Sequence, residues 1–184
     1  MKKILLIASL AVAFSAQAVQ LGQLAADKSQ ITFVSKQMGV PVNGRFKKFD
    51  AAFSLDSAKP EAGQARVEVD LASIDAGSAE ADTEVKGKGW FNTAAFPKAT
   101  FDSAMVKSLG NGRYEAHGPL KIKGISRDMV IPFMLKNDGA GAWLEGGFVL
   151  PRMQFKIGEG EWSDTATVAD EVQVRFKLFL TPKK

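Results

Sequence analysis

The sequence predicts an antiparallel all-β domain, a barrel or a sandwich, that carries one short helix. Three observations predict it. Apolar residues recur at every second position through most of the chain, the pattern of strands with one buried and one wet face. Turn residues interrupt these runs at hairpin spacing, most clearly at Pro60, Gly110-Asn111-Gly112, Lys123-Gly124 and Asn137 to Gly141. Only the segment from Ser78 to Lys88 has the capping residue and charge order of a helix.

The first residues are expected to lie outside the fold. Lys2 and Lys3 form a positive n-region, Ile4 to Phe14 an apolar h-region, and Ala16-Gln17-Ala18 a small-x-small cleavage site. This is the pattern of a secretory signal peptide over residues 1–18. The apolar run is well short of the ~20 residues a spanning helix needs. Residues 19–184 then read as one domain, with no internal repeat or low-complexity linker to divide them. The formal net charge is +4 and the pI about 9.3, but Lys2 and Lys3 supply half of that surplus. The remaining charges are interspersed, and no basic run alternates with aromatics, so no nucleic-acid partner is expected. The chain has no cysteine, which excludes disulfides, thiolate metal sites and thiol redox chemistry.

The elements follow in order. Val19 to Lys28 reads as an arm packed on the first strand, Gln30 to Ser35. Met38 to Gly44 reads as a turn region, because Pro41 and Gly44 would interrupt a ladder. Arg45 to Asp56 is a strand with Phe49, Ala51, Phe53 and Leu55 on its buried face. Val67, Val69 and Leu71 alternate with Arg66, Glu68 and Asp70 in the next. Ser78 then caps the helix, Glu80, Asp82 and Glu84 precede Lys86 and Lys88, and Gly87 and Gly89 stop it. Asp82–Lys86 and Glu84–Lys88 stand at i,i+4 spacing. Trp90, Phe91 and Phe96 share one bend before Pro97 returns the chain to extended structure. The helix carries charges rather than a strong apolar face, so the bend is the expected cover and the helix its outer support.

Ala99, Phe101, Ser103 and Met105 continue as one strand face, and Tyr114, Ala116, Leu120 and Ile122 line the return strand. Met129, Ile131, Phe133 and Leu135 form the next apolar face. Trp143 to Leu150 is a strand in which Gly146-Gly147 signals a bend or bulge. Arg152 to Asp170 is irregular. Val172, Val174, Phe176, Leu178 and Leu180 give the most regular alternation in the chain.

Catalytic residue sets are almost missing. The single histidine, His117, lies within a strand and has no Gly-x-Ser-x-Gly elbow to act on, so it reads as a half-exposed strand residue. One histidine cannot build a histidine-rich metal site. Glu159, Glu161, Asp164, Asp170 and Glu171 lack the spacing of a calcium loop and read as solvated. Gly87-Lys88-Gly89 lies at a helix C-terminus, the wrong end to cradle a phosphate. The aromatics remain: Trp90, Phe91, Phe96, Phe155 and Trp162 sit in irregular segments, where they either pack under long loops or line the entrance to an apolar site.

An ordered set of segments is similar to a known family. Ile31-Thr32-Phe33, Val42-Asn43-Gly44-Arg45-Phe46, Gly89-Trp90-Phe91-Asn92, Phe96-Pro97-Lys98-Ala99-Thr100-Phe101-Asp102-Ser103 and Gly118-Pro119-Leu120-Lys121-Ile122-Lys123-Gly124-Ile125-Ser126-Arg127 resemble the YceI-like proteins. The resemblance implies an eight-stranded antiparallel lipocalin-like β-barrel in the periplasm. It implies an elongated apolar cavity that carries a long isoprenoid lipid, a polyprenyl chain or an isoprenoid quinone. It implies no cofactor other than that lipid and no catalysis. The alternatives are an enzyme acting on an isoprenoid-like substrate and an interaction partner of a membrane quinone or redox protein. Transient membrane contact for lipid exchange and a homodimer are further expectations. The sequence departs from the family at Gln37, where many members carry histidine, and at Lys156, where many carry glycine after the phenylalanine of Arg-x-x-Phe.

Fourteen residues follow as candidates. Phe33, Phe49, Phe53, Phe101, Leu120 and Phe133 are chosen by strand face as cavity lining, with Phe46 from the Arg45-Phe46 turn. Trp90, Phe91 and Phe96 are to cover one end, with Phe155 and Trp162 from the irregular loop. Arg45 and Arg152 are candidates for an anionic head group, since a guanidinium forks onto phosphate, against a competing role in surface salt bridges.

Overall fold

The computed structural model describes residues 20–56 and 59–183; the expected signal peptide lies outside them. The alternating runs become twelve antiparallel strand segments in one sheet. They are β1 (Gln20–Leu24), β2 (Gln30–Gln37), β3 (Val40–Phe46), β4 (Phe49–Asp56), β5 (Gln64–Asp70), β6 (Ile74–Asp75), β7 (Lys98–Asp102), β8 (Met105–Gly110), β9 (Arg113–Ile122), β10 (Ile125–Asp138), β11 (Gly141–Pro151) and β12 (Glu171–Pro182). One helix, α1 (Ala79–Lys86), separates β6 from β7.

The segments make eight staves, because the first four staves are each broken midway. β1 runs on into β2, β3 into β4 and β5 into β6, so that β4 pairs β1 and β5 while β3 pairs β2 and β6. β7 and β8 lie end to end against β9. β9, β10, β11 and β12 follow as long strands, and β12 returns to pair with β1 and β2. The result is the closed eight-stranded antiparallel barrel that the resemblance implied.

The breaks correct several sequence expectations. The leader is no arm: Leu21, 2% exposed, sits in β1, which closes the barrel. The turn after β2 is only Met38-Gly39, and both residues have positive φ. Pro41 is tolerated inside β3 because that edge of the strand is unpaired until Arg45 and Phe46 meet β6. Gly44 is needed because a Cβ there would collide with the ring of Phe33. The expected strand from Phe101 to Met105 breaks at Ser103-Ala104. The Ser103 hydroxyl accepts the Ala65 N–H at 2.8 Å, and the Ala104 N–H donates to the His117 carbonyl at 2.8 Å. One residue is gained at this break, so the inward face changes parity: Val106 is 4% exposed and Met105 52%.

The helix begins and ends where expected, with the Ser78 hydroxyl accepting the Ala81 N–H at 3.2 Å and Gly87 at the C-cap. Its acids do not make the expected i,i+4 pairs. Asp82 accepts the Ala76 N–H at 2.6 Å, and Glu84 bonds elsewhere.

The two barrel ends differ. At one end Leu55 of β4, Leu21 of β1, Ala142 of β11 and Leu180 of β12 pack together as a buried plug. The long connections gather at the other end: residues 76–97, the Lys123-Gly124 turn, the Met38-Gly39 turn and residues 152–170.

Candidate functional site

Above the plug the inward side chains do not meet. They enclose a cavity of about 570 Å³, within the size range of small-molecule sites. Its wall is apolar from stave to stave, for example Phe53 and Leu55 on β4, Phe101 on β7, Leu120 on β9, Phe133 on β10 and Phe176 on β12. Ser35, Gln37, Glu80, Glu84, Arg152 and Thr100 are its polar contributors. Apart from Thr100, these belong to the end where the long connections gather.

That end is roofed by α1, the bend after it and the loop from Arg152 to Asp170. Ala81 and Val85 of α1 face the cavity beside Trp90 and Phe91, so the helix is part of the roof as well as its support. Phe33, Phe46 and Phe91 form a contact chain from wall to roof, with centroid separations of 5.7 and 6.3 Å. Trp90 and Trp162 lie 5.8 Å apart, and both indole N–H groups donate to the same Glu84 oxygen, at 3.1 and 2.8 Å. The carbonyl of Gly89 accepts the N–H groups of Gly158 and Glu159 at 2.9 and 2.8 Å. Lys123 joins the third connection, donating to Glu159 at 2.9 Å and to the Lys156 carbonyl at 2.6 Å. That ammonium holds the Glu159 carboxyl below its usual range, chiefly through the hydrogen bond.

Arg152 organises the loop from within and is 1% exposed. Its Nε donates to the Ala169 carbonyl at 3.1 Å. Nη1 donates to Ile157 and Gly158 carbonyls at 2.7 and 3.0 Å, and Nη2 to Trp162 and Val168 carbonyls at 2.8 and 2.6 Å. The Met153 thioether is a further acceptor, and the face of Trp90 lies 5.8 Å from the guanidinium. Burial lowers its pKa, with the charge of Asp170 opposing. Gly158 must be glycine here, since a Cβ would strike this guanidinium and φ is +78°.

The structure brings ten of the fourteen candidates to the cavity: Phe33, Phe46, Phe53, Trp90, Phe91, Phe101, Leu120, Phe133, Arg152 and Trp162. Four do not line it. Arg45 points outward by strand alternation, opposite to its neighbour Phe46, and pairs with Asp75 at 3.2 Å beside Lys47. Phe49 follows the β3–β4 break and packs half-buried beside the core. Phe96 lies against Gly124 on the neighbouring turn. Phe155 is fully buried beneath the loop. Arg152 lines the cavity with its hydrogen bonds already directed to carbonyls, so neither a free anion clamp nor a surface salt bridge describes it.

Sequence reasoning missed Glu84, which looked like a solvent-facing partner of Lys88. Its second indole partner is 78 residues distant, and nothing local signals that contact. Gln37, one of the two departures from the resemblance, lines the cavity at the roofed end. Lys156 has φ +54°, a left-handed conformation that glycine adopts without strain. His117 stands on the outside of β9, its side chain 31% exposed and 3.4 Å from Glu115. Among the described residues no cluster of metal-ligating side chains occurs. The acidic loop is structural in part: Asp164 accepts the Ala166 N–H and Asp170 that of Met153.

The model of the YceI-like domain matches residues 23–180. The chain belongs to the YceI-like family. Among curated relatives, proteins named UPF0312 from Azotobacter vinelandii and Shewanella oneidensis are each 36% identical over 120 and 121 residues. These matches cover 62 and 65% of this chain and 62% of each relative. The crystal structure of BcnA from Burkholderia cenocepacia is 40% identical, covers 86% of this chain and 100% of its own, and superposes with a TM-score of 0.84. A polyisoprenoid binding domain from Saccharophagus degradans shares the YceI-like fold at 17% identity, with a TM-score of 0.70 over 91% of this chain and all of its own.

Proposed function

We propose that this protein is a periplasmic carrier of a long isoprenoid lipid, a polyprenyl chain or an isoprenoid quinone, held in the barrel cavity. One observation carries this reading: a cavity of about 570 Å³ has apolar lining on every stave, and all its polar contributors except Thr100 stand near its roofed end. That distribution suits a ligand with a long apolar tail and one polar end. At about 0.8 kcal/mol per buried methylene, a tail of roughly twenty carbons gains about 16 kcal/mol gross. This exceeds most estimates of the roughly 4–15 kcal/mol cost of association, so the tail can be held without a dedicated polar contact. The polyisoprenoid-binding character of the Saccharophagus degradans domain supports the same ligand class. The secretory pattern of residues 1–18 supports the periplasm.

Binding is favoured over catalysis. The one histidine faces away from the cavity. The cavity carboxylates, Glu80 and Glu84, are exposed residues of the roof, and Glu84 is bonded to two indoles. The test is extraction of lipid from protein purified from the periplasm of a Gram-negative host, followed by mass spectrometry. A stoichiometric isoprenoid is expected, and its mass separates polyprenyl from quinone. Protein secreted and folded with an empty barrel would refute the reading. Replacing Trp90 and Phe91 together by alanine should reduce the retained lipid more than fivefold while costing less stability than a core truncation; equal loss of both would make the bend ordinary core.

A further inference from the structure

The barrel wall is not hydrogen-bonded all the way round. β10 and β11 pair only from Phe133–Gly146 to Asp138–Gly141. Towards the roofed end, β10 from Ile125 to Ile131 has register partners only in β9, and β11 from Phe148 to Pro151 only in β12. The ladder stops for a local reason. Pro132 has no N–H to donate, and its carbonyl approaches Gly146 so closely that a Cβ there could not be accommodated. Beyond that point the twist of the two strands carries them apart.

A groove lies over the unpaired stretch. Val130 and Val149 flank it, 50 and 40% exposed, and Gly147 forms part of its floor. Phe148 and Val174 line this outer groove and also line the inner cavity. Two side chains therefore separate inside from outside here, with no backbone hydrogen bond to break. The roof presents a different barrier. Opening it would separate Trp90 or Trp162 from Glu84, and residues 158–159 from Gly89.

We propose that the unpaired seam between β10 and β11 is a lateral portal through which the apolar ligand enters and leaves the cavity. This rests on the carrier reading. Rotation of the Phe148 side chain and a small separation of the strands join groove to cavity, and the exposed valines on the rim give an apolar chain a continuous path. The roof then stays closed over the polar end during transfer.

The absence of native cysteines allows a clean test. In V130C/V149C the thiols lie on the same outer face across the unpaired seam. In M134C/E145C they lie at a paired position of the same two strands. Each full-length secreted protein is joined with a short bis-maleimide or with a reducible linker. Uptake of tritiated geranylgeraniol from phosphatidylcholine vesicles is then timed. Linking the seam should slow uptake at least tenfold, and linking after loading should slow release equally. Linking M134C/E145C should change either rate less than twofold, and reduction of the cleavable linker across the seam should restore it. Equal rates in the two linked proteins would overturn the portal while leaving the carrier reading intact. If the unlinked proteins and the unsubstituted chain take up no geranylgeraniol at any time, the carrier reading fails and the portal with it.

Discussion

Arg152 offers the sharpest test of whether a cavity-lining arginine recognises a ligand or builds the wall. Replacing it with methionine keeps much of the aliphatic stem and removes every donor. Five backbone carbonyls then lose their partner: those of Ile157, Gly158, Trp162, Val168 and Ala169. Hydrogen bonds from a charged group contribute about 1.5–3 kcal/mol each, and an orphaned buried acceptor costs about 1–3 kcal/mol. These effects do not add, because the loop can relax and admit water to some of the carbonyls. The methionine also relieves the desolvation that lowers the arginine pKa. A net loss of about 3–5 kcal/mol follows, the range found when one partner is removed from a buried charged network. Arg152→Lys retains the charge but has three donors in place of five and no planar fork, so about half that loss is expected. Urea unfolding at constant m-value measures both. At roughly 2–4 °C per kcal/mol for a domain of this size, Arg152→Met should melt about 6–20 °C lower. A loss below about 1 kcal/mol, with lipid retention abolished, would refute the structural role and restore Arg152 as a head-group ligand.

Other predictions test the cavity and its roof. Ala116 lines the cavity and is buried. Ala116→Phe should direct its ring into open space, change stability by less than about 1 kcal/mol instead of the usual 1–3 kcal/mol of overpacking, and reduce extractable lipid at least fivefold. Lys156→Gly removes a lysine from φ +54° and should raise stability by about 0.5–1 kcal/mol in the same urea assay. The Lys123–Glu159 pair should make the roof acid-sensitive. Because the folded pKa of Glu159 is depressed, its contribution is present above the ordinary glutamate value of about 4.3 and is lost as pH falls through the lower folded value. Tryptophan fluorescence in a Trp143→Phe background should report that step, and Lys123→Met should move its midpoint up towards 4.3. An unmoved midpoint would exclude this pair as the cause.

Much of the wall was legible because strand alternation is a local property. Phe33, Phe53, Phe101, Leu120 and Phe133 were chosen by parity, and all five face the cavity. Parity failed where a break inserts or removes a residue. At Ser103-Ala104 the expected inward Met105 turns out and Val106 turns in. Across Lys47-Lys48 the inward face also changes parity, from Phe46 to Phe49, and Phe49 keeps the face of Phe53 and Leu55 in β4 but lies outside the lining. Both breaks are fixed by backbone and hydroxyl contacts from other strands, such as Ser103 to Ala65, which no window of sequence contains. The helix was legible from its cap and its stop, but the partners of Asp82 and Glu84 were not.

The sequence by itself determined the strand periodicity, the helix, the hairpin turns and the near absence of catalytic side chains, because each depends on residues close together along the chain. Only the tertiary structure decided that the inward faces stand apart and leave a cavity. That outcome depends on how many staves close the barrel and how far each tilts, not on whether a given residue points inward. It alone placed Glu84 between two indoles and Arg152 inside a cage of carbonyls. It alone showed a ladder that stops at Pro132. These depend on contacts between distant segments, where burial makes an acceptor valuable and geometry decides which donor reaches it.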